Sequence, residues 1–224
     1  MSPVLKVVPT ETAEHLNLKN FPSQPYPQIA DYFADYQSML QRSLKTLDME
    51  ALTRAAEVLD VAISRGQTVY VCGNGGSAAI ANHWVCDFMK GLRTDTDLMP
   101  KIISLSANLE LNMAIANDME YAQVFVYPLQ ALAKPGDVLL SISSSGNSEN
   151  VVRAIDWANE NKLHTISLDG FAGGRANKNA EVSLHIAANN YGLVEDCHHA
   201  IMHMLAHYLR MKHMPSARIE AVTF

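Results

Sequence analysis

Two regimes of apolar patterning divide the chain, with the change at Gly66. Before it, Ile29, Tyr32, Phe33, Tyr36 and Leu40 fall on one stripe, and the spacing predicts amphipathic helices over 29–47 and 49–65. After it, short apolar runs at 68–72, 101–105, 137–142, 164–168 and 182–186 predict five strands separated by stretches of helical period. Pro135-Gly136 and Gly173-Gly174 punctuate the series. Repeated strand–helix units imply an α/β domain whose parallel sheet is covered by helices on both faces. The proline-bearing stretch 1–28, with Pro22, Pro25 and Pro27, lacks periodicity and reads as an extended arm that is ordered only where it packs. One domain over 29–214 and a short tail over 215–224 complete the expected layout.

Candidate chemistry sits in two loops that follow predicted strands. Ser143, Ser144, Ser145 and Ser148 lie between the strand at 137–142 and a helical stretch carrying Val151, Val152, Ile155 and Ala158. Hydroxyls beside the free amides of a helix start suit an anion, and neutral donors suit a phosphate held while the rest of its molecule reacts. The plain alternative is a strand-to-helix turn rich in small residues. Earlier, Gly73-Asn-Gly-Gly-Ser77 joins the strand at 68–72 to a helix over about 78–89. Its spacing loosely matches a dinucleotide fingerprint. The next strand, however, ends in Ser104-Leu-Ser106 rather than in the acidic residue that would hold a ribose. No Gly-Lys-Ser/Thr follows the glycines, so a Walker A loop is absent. In a parallel sheet both loops belong at the carboxyl ends of the strands, where ligands bind.

Composition narrows the class. The chain has 224 residues, 48% of them apolar, enough for one domain with a sizeable core. A formal charge of −6 and pI near 5.8 argue against nucleic acid or acidic membranes as partners. No apolar run approaches a membrane span, and no signal-peptide pattern opens the chain. Three scattered cysteines, Cys72, Cys86 and Cys197, fit a reducing cytoplasm.

From about residue 30 to 212 the chain resembles the sugar isomerase (SIS) domain family, and within it the bacterial phosphoheptose isomerases. The resemblance is carried by Gly73-Asn-Gly-Gly-Ser77, Ala116-Asn-Asp118, Pro135-Gly-Asp-Val-Leu-Leu140, Ile142-Ser-Ser-Ser-Gly-Asn-Ser148 and the last helix with Glu195 and His203. It implies a single five-stranded, flavodoxin-like three-layer sandwich with added N-terminal helices. It also implies isomerisation of sedoheptulose 7-phosphate to D-glycero-D-manno-heptose 7-phosphate, in a cytoplasmic homotetramer with sites between subunits. By the same resemblance, Ser143, Ser144, Ser145 and Ser148 hold the phosphate, while Asn74, Gly75, Gly76, Ser77, Asn117, Asp118 and Glu195 line the sugar. Asp87 and His203 take the proton-transfer roles, Asp87 also touching substrate. Zinc, where present, falls to His83, Asp87, Glu195 and His203.

This chain departs from the family pattern in three places. Asp87 replaces a glutamate, Glu195 replaces a glutamine, and Gly192-Leu193-Val194 stands where the family carries an arginine before the last helix. Both carboxylates remain good zinc ligands. A carboxylate one methylene shorter matters more for proton transfer, where about 1 Å of misplacement costs about 100-fold. Helical spacing independently makes His83 and Asp87 neighbours at i and i+4. Glu195 and His203 are about 12 Å apart by helix rise. Plainer readings exist for several of these residues. Asp87 could be an exposed or capping carboxylate, and His203 one of a polar row with His199 and His207. Asn117-Asp118 would serve equally as a helix stop, and Asp169-Gly170 and Gly173-Gly174 as turns. His198 and His199 read as helix-surface or interface residues. Two other functions compete with a heptose isomerase: a non-catalytic SIS protein that binds a phosphosugar or a partner protein, and an isomerase for another phosphosugar.

Overall fold

The structure, a computed structural model, describes residues 20–224, so most of the arm expected over 1–28 lies outside the described residues. Its remaining part packs. Phe21 is buried against the rings of Tyr26, Tyr32 and Tyr36, with centroids 5.0–6.2 Å apart, and its carbonyl accepts from Asn190 Nδ2 at 2.9 Å.

Two helices, α1 (Ile29–Leu44) and α2 (Met49–Ser64), precede the sheet. The first stops short of the predicted 47 because Asp48 caps the second, accepting from the amides of Glu50 and Ala51 at 2.8 and 3.4 Å. The sheet comprises β1 (Thr68–Gly73), β2 (Lys101–Ser104), β3 (Val138–Ser143), β4 (His164–Asp169) and β5 (Val182–His185). All pairs are parallel, in the order β2-β1-β3-β4-β5, within one residue or so of the predicted spans. The expected α/β sandwich is therefore the observed one. Between strands run α3 (Gly76–Cys86), α4 (Leu109–Asp118), α5 (Val126–Leu132), α6 (Glu149–Glu160) and α7 (Gly174–Asn179). After β5 come the long α8 (Tyr191–His213) and the short α9 (Ser216–Ile219).

Alternation along the strands explains the layers. Val69, Val71, Val138, Leu140, Ile142, Ile166 and Leu168 face one core with α2, α3 and α8. Tyr70, Cys72 and Leu139 face the other, with Val124, Leu129, Val151, Ile155 and Ala176. Every residue of β3 is buried, as a central parallel strand requires. Cys72 is plain core, its thiol pushed up to about 12 by burial. Residues 215–224 fold back over α8. Arg210 donates to the carbonyls of Thr94 and Thr223 at 3.0 and 3.2 Å, and its guanidinium lies 4.8 Å from the Phe224 ring.

Candidate active site

Both glycine- and serine-bearing loops emerge at the carboxyl ends of adjacent strands, β1 and β3, and meet there. A Cβ on Gly73 would fall 2.7 Å from the Ser77 carbonyl, so glycine permits the tight turn into α3. Ser106, at the end of the β2 segment, clamps that glycine, accepting from its amide at 3.1 Å and donating to its carbonyl at 2.8 Å. Where a dinucleotide site would have an acid, this chain has a backbone clamp.

The two loops are joined by an amide pair. Asn74 Nδ2 donates to Asn150 Oδ1 at 3.0 Å, Asn150 Nδ2 donates back at 2.9 Å, and Tyr121 Oη donates to Asn74 Oδ1 at 2.7 Å. Asn150 is buried in the first turn of α6. Neither Asn150 nor Tyr121 was among the sequence candidates. A buried amide just after the serine loop was the available signal, since such a group must find partners.

A pocket of about 130 Å³ lies between the loops, lined by Asn74, Ser77, the four serines, Tyr191 and Glu195. Ser148 is the N-cap of α6, but its hydroxyl meets Ser143 Oγ at 3.4 Å and does not cap the helix amides. Ser144 Oγ is buried without a hydrogen-bond partner among the described residues. An orphaned hydroxyl at an uncapped helix start is an unmet demand for a ligand acceptor or donor. Behind the loop, the Ser144 carbonyl accepts from Gly170 N at 3.0 Å and the Gly146 carbonyl from Ala176 N at 2.8 Å. Gly170 and Gly173-Gly174 are thus close-packing partners of the serine loop, more than turn chemistry. Asp169 anchors them: it is buried, accepts from Ser167, Ser183 and Asn177 at 2.8–3.2 Å, and burial raises its pKa.

Glu195 reaches this pocket from α8. A Cβ on Gly76 would sit 2.5 Å from either carboxylate oxygen, so the glycine leaves the acid room at the start of α3, and a larger residue would push this flexible side chain aside. Burial, with the neighbouring Asp196 charge, raises its pKa, and its oxygens have no protein hydrogen-bond partner among the described residues.

Farther along the same two helices His83, Asp87 and His203 converge. His83 Nε2 lies 3.3 Å from Asp87 Oδ1, and His203 Nε2 lies 3.4 Å from Asp87 Oδ2. One ligand atom from each falls within 4.8 Å of the others, so two imidazoles and a carboxylate form a possible metal-binding group. Asp87 opens a π turn, Asp87–Gly91, that widens the end of α3. Glu195 stands outside this trio. Asp87 and His203 are also absent from the lining of the serine pocket; each borders a different cavity near Phe224.

Other residues land away from these groups. Asn117 and Asp118 are exposed at the end of α4, paired with each other at 2.8 Å and outside the pocket lining. His198, expected at the helix surface or an interface, is instead fully buried within the fold. Its Nε2 contacts the Asp169 carbonyl at 3.2 Å, and burial lowers its pKa to about 4. His199 is only half-buried, its ring 5.4 Å from that of His83.

A family model for the SIS domain matches residues 31–170. The chain belongs to the SIS domain family. Within it, the chain is 36% identical over 148 residues to a phosphoheptose isomerase of Bordetella avium, covering 66% of this chain and 74% of that protein. A phosphoheptose isomerase of Aliarcobacter butzleri is 32% identical over 173 residues, covering 77% and 90%. The solved phosphoheptose isomerase of Neisseria gonorrhoeae superposes with a TM-score of 0.73 at 28% identity, covering 81% of this chain and 96% of that one. The SIS domain here thus carries its serine pocket and its His/Asp/His group at the two ends of one α3–α8 seam. No helix among the described residues is long and apolar enough to cross a membrane.

Proposed function

We propose that this SIS domain is a phosphosugar aldose–ketose isomerase, converting sedoheptulose 7-phosphate to D-glycero-D-manno-heptose 7-phosphate through an enediolate. The observation that carries the reading is the serine pocket, where an unpartnered buried hydroxyl and an uncapped helix start face the same small space. The names of the relatives support the isomerase class. In this reading Ser143, Ser144, Ser145 and Ser148 hold the phosphate, and Asn74, Gly75, Gly76, Ser77 and Glu195 flank the chain of the sugar. Asn117 and Asp118 contribute from the surface of an adjoining subunit.

Proton transfer belongs to Asp87 and His203. Asp87 takes the proton from C1 of the ketose, and His203 exchanges protons with the oxygens at C1 and C2. Return of a proton to C2 completes the aldose. The contact between His203 Nε2 and Asp87 Oδ2 lets the pair pass a proton. His83, Asp87 and His203 are the residues that would hold zinc; when bound, it supplies Lewis acidity toward a substrate oxygen. Because the serine pocket does not itself include Asp87 or His203, we place the working site between subunits of a cytoplasmic homotetramer. Exposed Ile29, Phe33 and Tyr191 supply apolar surface for that association.

Two outcomes test the proposal. Incubation with five-, six- and seven-carbon ketose phosphates should yield aldose fastest from the seven-carbon substrate. Binding without turnover of any of them would instead favour a phosphosugar sensor. Ser144→Ala, Ser145→Ala and Ser148→Ala should each weaken phosphosugar binding by about 0.5–1.5 kcal/mol, the value of one ordinary hydrogen bond. Ser144→Ala should cost the unliganded protein far less than it costs binding, because that hydroxyl has no protein partner among the described residues. Calorimetry and urea denaturation separate the two effects. Unchanged affinity in all three variants would remove the loop from the site.

A further inference from the structure

We propose that His199, rather than Glu195, is the fourth side chain of the metal group. The helices α3 and α8 lie side by side and carry matched i,i+4 pairs, His83–Asp87 on one and His199–His203 on the other. Ring centroids lie 5.1 Å apart for His83–His203, 5.4 Å for His83–His199 and 6.1 Å for His199–His203. A tetrahedral ion about 2.0–2.1 Å from one nitrogen of each of three imidazoles holds their centroids roughly 5 Å apart. Two of the three separations already match, and the third needs a small closure.

Glu195 is placed differently. Its carboxylate rests against Gly76, seven residues before His83, or about 10 Å back along α3 by rise. It is also eight residues, or about 12 Å, from His203 on its own helix. It serves the serine pocket, while His199 stands level with His83. The His199 ring lies nearly parallel to that of His203, at 19°, and its nitrogens fall outside the group of atoms within 4.8 Å. A turn about its side-chain bonds is therefore required. No hydrogen bond among the described residues holds the ring against that turn, and half-burial leaves room for it. The result would be a three-histidine, one-carboxylate site, a ligand set that suits zinc.

The inference rests on reading His83, Asp87 and His203 as a zinc site, and the experiment separates the two. Zinc affinity is measured by competition with a chromophoric chelator, and cobalt(II) absorption reports the ligand field; neither needs catalysis. The wild type should bind one zinc per chain. His199→Ala should weaken binding about tenfold or more and alter the cobalt spectrum, and His199→Gln should behave alike while keeping a polar side chain there. Glu195→Ala, which removes every ligating atom beyond Cβ, should leave both readings within about twofold. Zinc affinity that survives in both His199 variants, or is lost in Glu195→Ala, overturns the inference alone. A wild type that takes up no zinc overturns the inference and the metal reading beneath it, and leaves the isomerase assay to judge the function.

Discussion

Exchanging Asp87 for asparagine is expected to abolish isomerisation and the uptake of solvent deuterium into substrate. The substitution keeps the shape of the side chain and removes its basicity, so a general-base contribution of about 10²–10⁴-fold should disappear. Asp87 lies between two imidazoles, with Oδ1 toward His83 and Oδ2 toward His203, and its side chain is partly screened from solvent. Asparagine accepts through one end and donates through the other, so one imidazole must present an unprotonated nitrogen to it and can no longer hand it a proton. Asp87→Glu tests the missing methylene. If the shorter carboxylate is a compromise, the longer one should match or exceed wild-type kcat. Circular dichroism should be unchanged in Asp87→Asn, and phosphosugar affinity should fall far less than turnover, since the serine pocket that holds the phosphate does not include this residue. Full activity in that variant would take the base role away from Asp87.

The sheet was readable because its strands are short β-rich runs buried on both sides, a pattern that leaves few alternatives once glycine and proline mark the ends. The place of the serine loop, between a strand and a helix at the carboxyl end of the sheet, was readable for a related reason: its apolar flanks at 138–142 and 151–158 fix both elements. The pairing of Asn74 with Asn150 was not readable, because the two lie far apart in sequence and meet only when β1 and β3 become neighbours. Helical spacing put His83 beside Asp87, and the structure adds His203 to them from another helix. The same reasoning could not say that Glu195 would be drawn toward Gly76, since that depends on how two helices settle against each other. His198 shows the opposite error. A histidine on a helix that carries several others reads as surface or interface, yet His198 faces the core and contacts a carbonyl of β4.

The serine loop owes its shape to a backbone contact, and removing the freedom for that contact should have the second-largest effect. Gly146 has a φ of +62°, and a Cβ there would lie 1.8 Å from the Gly173 carbonyl oxygen. That oxygen belongs to backbone, so it cannot swing aside as a side-chain end could. Gly75 supplies the control, with a φ of +55° and nothing within 4 Å of a built Cβ. Gly75→Ala should cost only the backbone strain, about 1–3 kcal/mol. Gly146→Ala should cost that strain and a further overpacking penalty of about 1–3 kcal/mol. If the protein survives, it does so by moving the loop away from Gly173, which also shifts Ser144 and Ser145. Phosphosugar affinity should therefore fall tenfold or more in Gly146→Ala. Urea denaturation measures the first effect and calorimetry the second. Equal stability losses in the two variants would show that the Gly146–Gly173 contact yields easily and does not set the shape of the loop.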